Sequence, residues 1–293
     1  MIKRPRNSRE LTMFLAPAVV LLGLLYFLPL LLNIALSFSD WDLHRRGVPG
    51  FAGIQNFLGV IADGTIARDV PTTILFALSV TLMQNALGLG LALAVERQSR
   101  ISVFFRTVLL MPMLISALAA GYIWRGILDP AGPLNQLLSM VAGAGVDIQW
   151  LGSTSATVFV VAAVQSWKFY GLLMLIYLAG LKTIPTELKE NAQIDGASKW
   201  QVFRHIKLPL IAPAVTVCVV LTLVAGFSAF DVIVAMTGGG PARSTEVVNI
   251  AAQQYLATGQ FAYATTISLV LYVAVVVAAL PLIVLLRRRE VYL

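Results

Sequence analysis

Six long apolar stretches dominate this 293-residue chain, at about 11–38, 70–95, 105–128, 155–180, 210–236 and 263–286. Each reaches the roughly 20 residues a helix needs to cross a hydrocarbon core. Lipid offers no hydrogen bonds to a backbone, so a spanning segment must satisfy its own, as a helix does. Composition agrees, with 58% hydrophobic and only 12% charged residues. A soluble domain carries about 25% charged residues, and this chain is far too apolar to be disordered. A soluble enzyme is excluded. The expected fold class is an all-α integral membrane protein with six transmembrane helices.

The first stretch is expected to remain as a span. Its apolar core is too long for a signal peptide, and no small-residue cleavage site follows Ser37-Phe38-Ser39-Asp40-Trp41. The net charge of +7 does not form the single stripe that nucleic acid binding needs, because the basic residues fall in clusters between apolar stretches. Counting them sets orientation. Lys3, Arg4, Arg6, Arg9, Arg97, Arg100, Arg106, Lys182, Lys189, Lys199, Arg204, Lys207 and Arg287, Arg288 and Arg289 lie on one side; only Arg45, Arg46, Arg68, Arg125 and Arg243 lie on the other. Both termini are therefore expected in the cytoplasm, as short tails at 1–10 and 287–293. The outer segments, about 39–69, 129–154 and 237–262, carry Gly and Pro punctuation and read as loops with short helices. Cys218 reads as a small buried hydrophobe, and His44 and His205 have no company that would make a metal or catalytic site.

The connection 182–209 is longer than a link between two spans requires. It reads as two short helices around a turn. Pro185 opens the first, where a missing N–H costs little, and Leu188 and Ala192 share a face. Asp195-Gly196 breaks the helix, Ser198 caps the second with Gln201 as capping-box partner, and Trp200, Phe203 and Ile206 make an apolar face. Leu208-Pro209 is expected to turn the chain into the next span. Such a hairpin suits either the lipid headgroups, with Trp200 as anchor, or a docking site for a soluble partner.

Glu190-Asn191-Ala192, then Gly196, then Ile206-Lys207-Leu208-Pro209 at this spacing resembles the signature loop of binding-protein-dependent ABC importer permeases. The longer run Glu190 to Pro213 is similar to the carbohydrate-uptake branch, the maltose and glycerol-3-phosphate permeases. Asn191 stands where that family usually has Ala. Ser37 to Trp41 with Phe51 to Phe57, Leu178 to Pro185, and Thr237 to Pro241 with Ser244-Thr245-Glu246 are similar to further family segments in the same order. The resemblance implies a type I importer fold, with 182–209 as a cytoplasmic coupling hairpin docked in a cleft of an ATPase. It implies that Glu190 pairs with a basic group there, that Ala192, Asp195 and Gly196 belong to the ATPase-coupling residues with it, and that Gly196 permits the sharp turn. Ile206, Leu208 and Pro209 would fix the hairpin to the membrane core. The implied partners are a second, homologous permease chain, two ATPase subunits and an extracytoplasmic binding protein. No cofactor is expected in this chain, since no G-x-x-x-x-G-K-[ST] loop occurs and ATP and Mg would sit on the ATPase; Gly238-Gly239-Gly240 reads as a turn.

Polar groups within spans face protein or a water-filled path. Asn33, Gln84-Asn85, Gln165 to Tyr170 and Ser228 with Asp231 are such groups. Asn85, Gln165, Trp167, Lys168, Tyr170 and Asp231 have the amide, charge and ring chemistry that recognises sugars and are the candidates for a substrate path. Gln84 or Asn85 could instead hold the bundle together by hydrogen bonding. Lys168 could neutralise Asp231, or face a phosphorylated solute such as a glycerol phosphate ester. The expected function is import of a sugar, oligosaccharide or glycerol-phosphate-type solute, without chemistry on a covalent bond. An ion-coupled secondary transporter is the alternative, with Lys168 and Asp231 as its only titratable candidates.

Overall fold

The computed structural model describes residues 8–43, 49–97 and 99–288. Lys3, Arg4, Arg6, His44, Arg45, Arg46 and Arg289 lie outside the described residues, as do most of the two expected tails. The helices are α1 (Leu11–Ser37), α2 (Gln55–Ala62), α3 (Thr65–Ala94), α4 (Arg100–Leu114), α5 (Ala117–Ile127), α6 (Pro133–Ala142) and α7 (Thr157–Lys182), followed by α8 (Thr186–Ile194), α9 (Lys199–Leu210), α10 (Ala212–Phe227), α11 (Asp231–Met236), α12 (Val248–Ala257) and α13 (Phe261–Arg287). Among the described residues the only extended pairing is an isolated bridge between Ser39 and Phe51.

α1, α3, α7 and α13 are each long and apolar enough to cross a membrane alone. The pairs α4–α5 and α9–α10 qualify only together, bent by 96° and 70°. The expected third span is thus two helices. Pro112 has no N–H for the carbonyl of Val108, Ile115 leaves the helical region at ψ 139°, and Ser116 caps α5 by accepting from the Ala119 N–H at 3.1 Å. The expected fifth span ends early, at Phe227, and α11 follows separately. The turn expected at Leu208-Pro209 lies instead at Ile211, where Pro213 cannot donate to the Pro209 carbonyl. Helix continues through Leu208 because a wide π turn, Phe203–Lys207, ends two residues before Pro209. In α1 another, Gly23–Phe27, ends two residues before Pro29. In an ordinary helix each proline ring would strike the carbonyl four residues back.

The chain forms two compact units. The first draws on residues up to Ile66 and on Ala251–Val270. The Asn56 side chain holds it together, donating to the carbonyls of Ser37 and Ser39 at 2.9 and 2.6 Å. Thr266 donates to the same Ser37 carbonyl, and Trp41 stacks on Phe261 at 4.9 Å. The Tyr255 hydroxyl donates to Asp63 at 2.6 Å; burial, with that carboxylate beside it, raises the phenol above its ordinary value.

The second unit, Ala67–Ile250 with the chain from Leu271, is built on α7. This helix is apolar all round and buried on most of its faces, as a central helix must be. Val158, Val161 and Val164 join one apolar cluster with Phe76, Ile233 and Met236; Leu173, Tyr177 and Leu181 join another with Ala92, Ile211 and Cys218. Between membrane helices there is no hydrophobic drive, so close contact comes from small residues. A Cβ on Gly171 would sit 2.5 Å from the Leu109 carbonyl oxygen of α4, and one on Gly226 would sit 2.7 Å from Ala77 Cα of α3.

Gly171→Ala should therefore lower the thermal unfolding midpoint of the purified protein, since overpacking against a fixed backbone costs about 1–3 kcal/mol. Gly23→Ala, with nothing within 4 Å of its new methyl, should not lower it.

Candidate functional site

Two of the three interruptions in the second unit, the α4–α5 bend and the α10–α11 gap, meet at one cavity. Ser228, Ala229 and Phe230 separate α10 from α11, and Ala117 opens α5 just past its bend. They line a cavity of about 340 Å³ together with Gln84 of α3, Gln165 and Phe169 of α7, and Asp231. Broken helices are tolerated in a membrane where they line such a space. The Gln84 amide donates to the Gln165 carbonyl at 3.2 Å. Gln165 is 8% exposed as a residue and its amide has no protein partner among the described residues. The amide opens onto the cavity, where a solute or water can take up its hydrogen bonds. Ser228 and Asp231 are exposed at the rim.

The other candidates from the sequence do different work. Asn85 is a clamp between three helices: its oxygen accepts from Tyr177 at 2.5 Å, and its nitrogen donates to Thr222 at 2.9 Å and to the Thr81 carbonyl at 2.7 Å. Trp167 packs edge-on against Trp124 of α5, with centroids 5.3 Å apart. Tyr170 is half-buried on α7 and does not line the cavity. Lys168 makes no ion pair with Asp231. Its Nζ donates to the Met113 carbonyl at 3.2 Å and lies 4.3 Å from the Phe169 ring centroid. Met113 is in the last turn of α4, whose carbonyls the bend leaves unpaired, so Lys168 caps a broken helix. Asn33 is half-buried in α1, and its side-chain oxygen has no partner among the described residues.

At the far end of α7 the hairpin α8–α9 forms as its turn chemistry dictates. Gly196 takes φ +82°, a left-handed conformation that favours glycine. Around it the N–H of Asp195 donates to the Asn191 carbonyl and that of Ala197 to the Ala192 carbonyl, both at 2.9 Å. The capping box closes, with Ser198 N–H donating to Gln201 Oε1 at 2.7 Å and Gln201 N–H to Ser198 Oγ at 3.3 Å. Ile206 and Leu210 pack against the cluster of Tyr177 and Leu181 and root the hairpin; Leu208 is more open and Pro209 half-buried. The outward face is uncovered: Ile194 is 82% and Trp200 63% exposed, with Trp200 stacked on Phe203 at 5.4 Å. Glu190 is exposed there and has no ion-pair partner among the described residues.

Gln84 and Phe169 line the cavity although the sequence points first to their neighbours Asn85 and Lys168, while Ser228 lines it together with the expected Asp231. On a helix one residue is a rotation of about 100°, and periodicity in a uniformly apolar segment does not say which of two adjacent polar groups faces inward.

Residues 85–289 match the family described as binding-protein-dependent transport system inner membrane component. The chain is 32% identical over 287 residues to the probable starch degradation products transport system permease protein of Thermoanaerobacterium thermosulfurigenes, covering 98% of this chain and 97% of that one. It is 34% identical over 242 residues to the sn-glycerol-3-phosphate transport system permease protein of Agrobacterium fabrum, covering 80% of each. Its fold superposes with a TM-score of 0.80, at 21% identity and 95% coverage of both chains, on a chain of a bacterial ABC transporter involved in the import of the acidic polysaccharide alginate.

The clamp and the cavity amide separate by stability. Asn85→Ala strands the buried Tyr177 hydroxyl and should lower the unfolding midpoint, the loss being about 1–2 kcal/mol. Gln165→Ala removes no protein hydrogen bond and should leave the midpoint unchanged.

Proposed function

The chain belongs to the family of binding-protein-dependent transport system inner membrane components, and we propose from that premise that it is the permease subunit of an ATP-driven importer of a neutral sugar or oligosaccharide. The observation that carries the substrate class is the cavity at the helix breaks. Its polar lining is two amides, a hydroxyl and a carboxylate, set beside Phe169 and Phe230. Amides and carboxylates bond hydroxyls, and aromatic faces suit the apolar side of a sugar ring. No basic side chain lines it among the described residues, which favours an uncharged solute over a phosphate ester. Lys168, turned to Met113, does not supply that charge.

The relatives named above carry starch degradation products and glycerol phosphate in their names, and the chemistry here is closer to the first. An ion-coupled mechanism loses its titratable pair, since Lys168 and Asp231 do not meet. With Ser228 and Asp231 exposed at the rim, the cavity is half of a path, and a second, homologous permease chain supplies the other half. An extracytoplasmic binding protein delivers the solute, and two ATPase subunits, which hold ATP and Mg, drive the cycle. The excess of basic residues around the hairpin supports a cytoplasmic position for it and for both termini. There Glu190 and the open apolar face around Trp200 dock in the ATPase. ATP-driven closure of the ATPase pair then switches the helices between inward- and outward-facing arrangements, a rigid-body transition that needs a stiff docked element.

The test is uptake and binding-protein-stimulated ATP hydrolysis by the complete complex in nanodiscs or vesicles. Glu190→Ala should cut stimulated hydrolysis about tenfold or more while the chain still inserts, as loss of one partner of an interfacial charge pair does. Unchanged assembly and unchanged stimulation would remove Glu190 from the coupling step. Gln165→Ala and Asp231→Asn should each raise the apparent KM for solute about three- to tenfold, the value of one hydrogen bond; equal KM in both would place recognition elsewhere.

A further inference from the structure

Just past the C-terminus of α3, Glu96 stands alone among cations. It lines a cleft of about 620 Å³ with Arg97, Lys182, Lys189, Lys199 and Lys207. A basic cluster at this end of a membrane helix is what orientation demands, and orientation alone would leave the lysines pointing into water. Two of them instead converge on one carboxylate. Lys207 of α9 donates to Glu96 Oε2 at 2.5 Å, and Lys189 of α8 lies 3.5 Å from Oε1. All three side chains are largely withdrawn from solvent, at 18–20% exposure. The two lysines come from opposite arms of the hairpin, so a single carboxylate fixes both arms to α3.

The position of Glu96 is itself held. Arg106 of α4 reaches across and donates to the carbonyls of Val95 at 2.5 Å and Arg97 at 3.2 Å. These are carbonyls that a helix end leaves without partners, and a cation there also suits the helix dipole. From Gln84 at the cavity α3 is one unbroken helix to Ala94, two residues short of Glu96. That stretch rises about 15 Å. Lys189 and Glu190 are adjacent on α8, so they point in different directions: Lys189 inward to Glu96, Glu190 outward to solvent. The clasp therefore sets the angle at which α8 presents Glu190.

We infer that Glu96 is a positioning residue for energy coupling, an ionic clasp that locks the hairpin to α3 so that movement of α8 and α9 is transmitted as movement of the cavity wall. The inference rests on the importer reading above and deepens it. An ion pair of this kind contributes little net stability once desolvation is counted, but it fixes register. Loss of the clasp should thus leave a folded, assembled complex that slips.

The test is Glu96→Gln and the swapped pair Glu96→Lys with Lys207→Glu, in the complete reconstituted complex. Solute moved per ATP hydrolysed is measured beside hydrogen exchange of the hairpin amides. Glu96→Gln should lower the transport-to-hydrolysis ratio about five- to tenfold, the size of a typical coupling between sites, and speed exchange in 186–207. The swap should restore a large part of both. A ratio and exchange equal to wild type in Glu96→Gln would overturn the clasp. If Glu96→Gln failed to assemble, the swap would decide alone: coupled transport in it sustains the clasp, and assembly without coupling overturns it. A wild-type complex with no binding-protein-stimulated hydrolysis would refute the importer reading instead, and the exchange comparison would still judge the clasp.

Discussion

A helix that breaks inside a hydrocarbon layer must find new partners for every backbone group it frees, and the architecture of this chain follows from how it meets that demand. At the bend between α4 and α5, Ser116 takes the Ala119 N–H and Lys168 takes the Met113 carbonyl. At the gap between α10 and α11, the Asn249 side chain donates to the Ala229 carbonyl at 3.5 Å. Every one of these groups belongs to the second unit, and both breaks open onto the same cavity. The helix breaks thus locate the site, and a lysine that looks like a functional charge serves to hold one of them open.

Much of this was legible in the sequence. The four uninterrupted spans, the hairpin with its Gly196 turn and its Ser198–Gln201 capping box, and Gln165 as an inward polar group all follow from apolar length, turn chemistry and the cost of polarity in lipid. What was not legible depends on rotation and on tertiary partners. Asn85 and Gln84 are equally polar, and only their one-residue difference in helical phase makes the first a clamp and the second a wall. By sequence Lys168 could neutralise Asp231 or face a phosphorylated solute, because both charges lie in apolar stretches; the freed carbonyl that satisfies it arises from a bend 55 residues away in sequence. Pro112 marks that bend only in retrospect, since α1 carries Pro17 and Pro29 without breaking.

Glu96 is hidden in the sequence for a similar reason. In a basic segment a lone acid looks like noise in a charge count, whereas in space it is where α3, α8 and α9 converge. Arg106 deepens the point. By sequence it is one more orientation-setting cation, and in the structure it caps the end of α3 that carries Glu96. Charges at this end of the chain therefore divide into those that set orientation from the water and those that tie helix ends together, and burial separates the two classes where counting does not.

The same division bears on what the cavity can accept. A cation lining a low-dielectric cavity attracts an anionic solute far more strongly than one in water, so an importer of phosphate esters or acidic sugars gains by exposing one there. This chain has a buried lysine one residue from Phe169 of the cavity wall and turns it away to a carbonyl. The remaining charge at the site is the Asp231 carboxylate, which repels anions. A cavity of this composition suits a solute whose polarity lies in hydroxyls better than an anion.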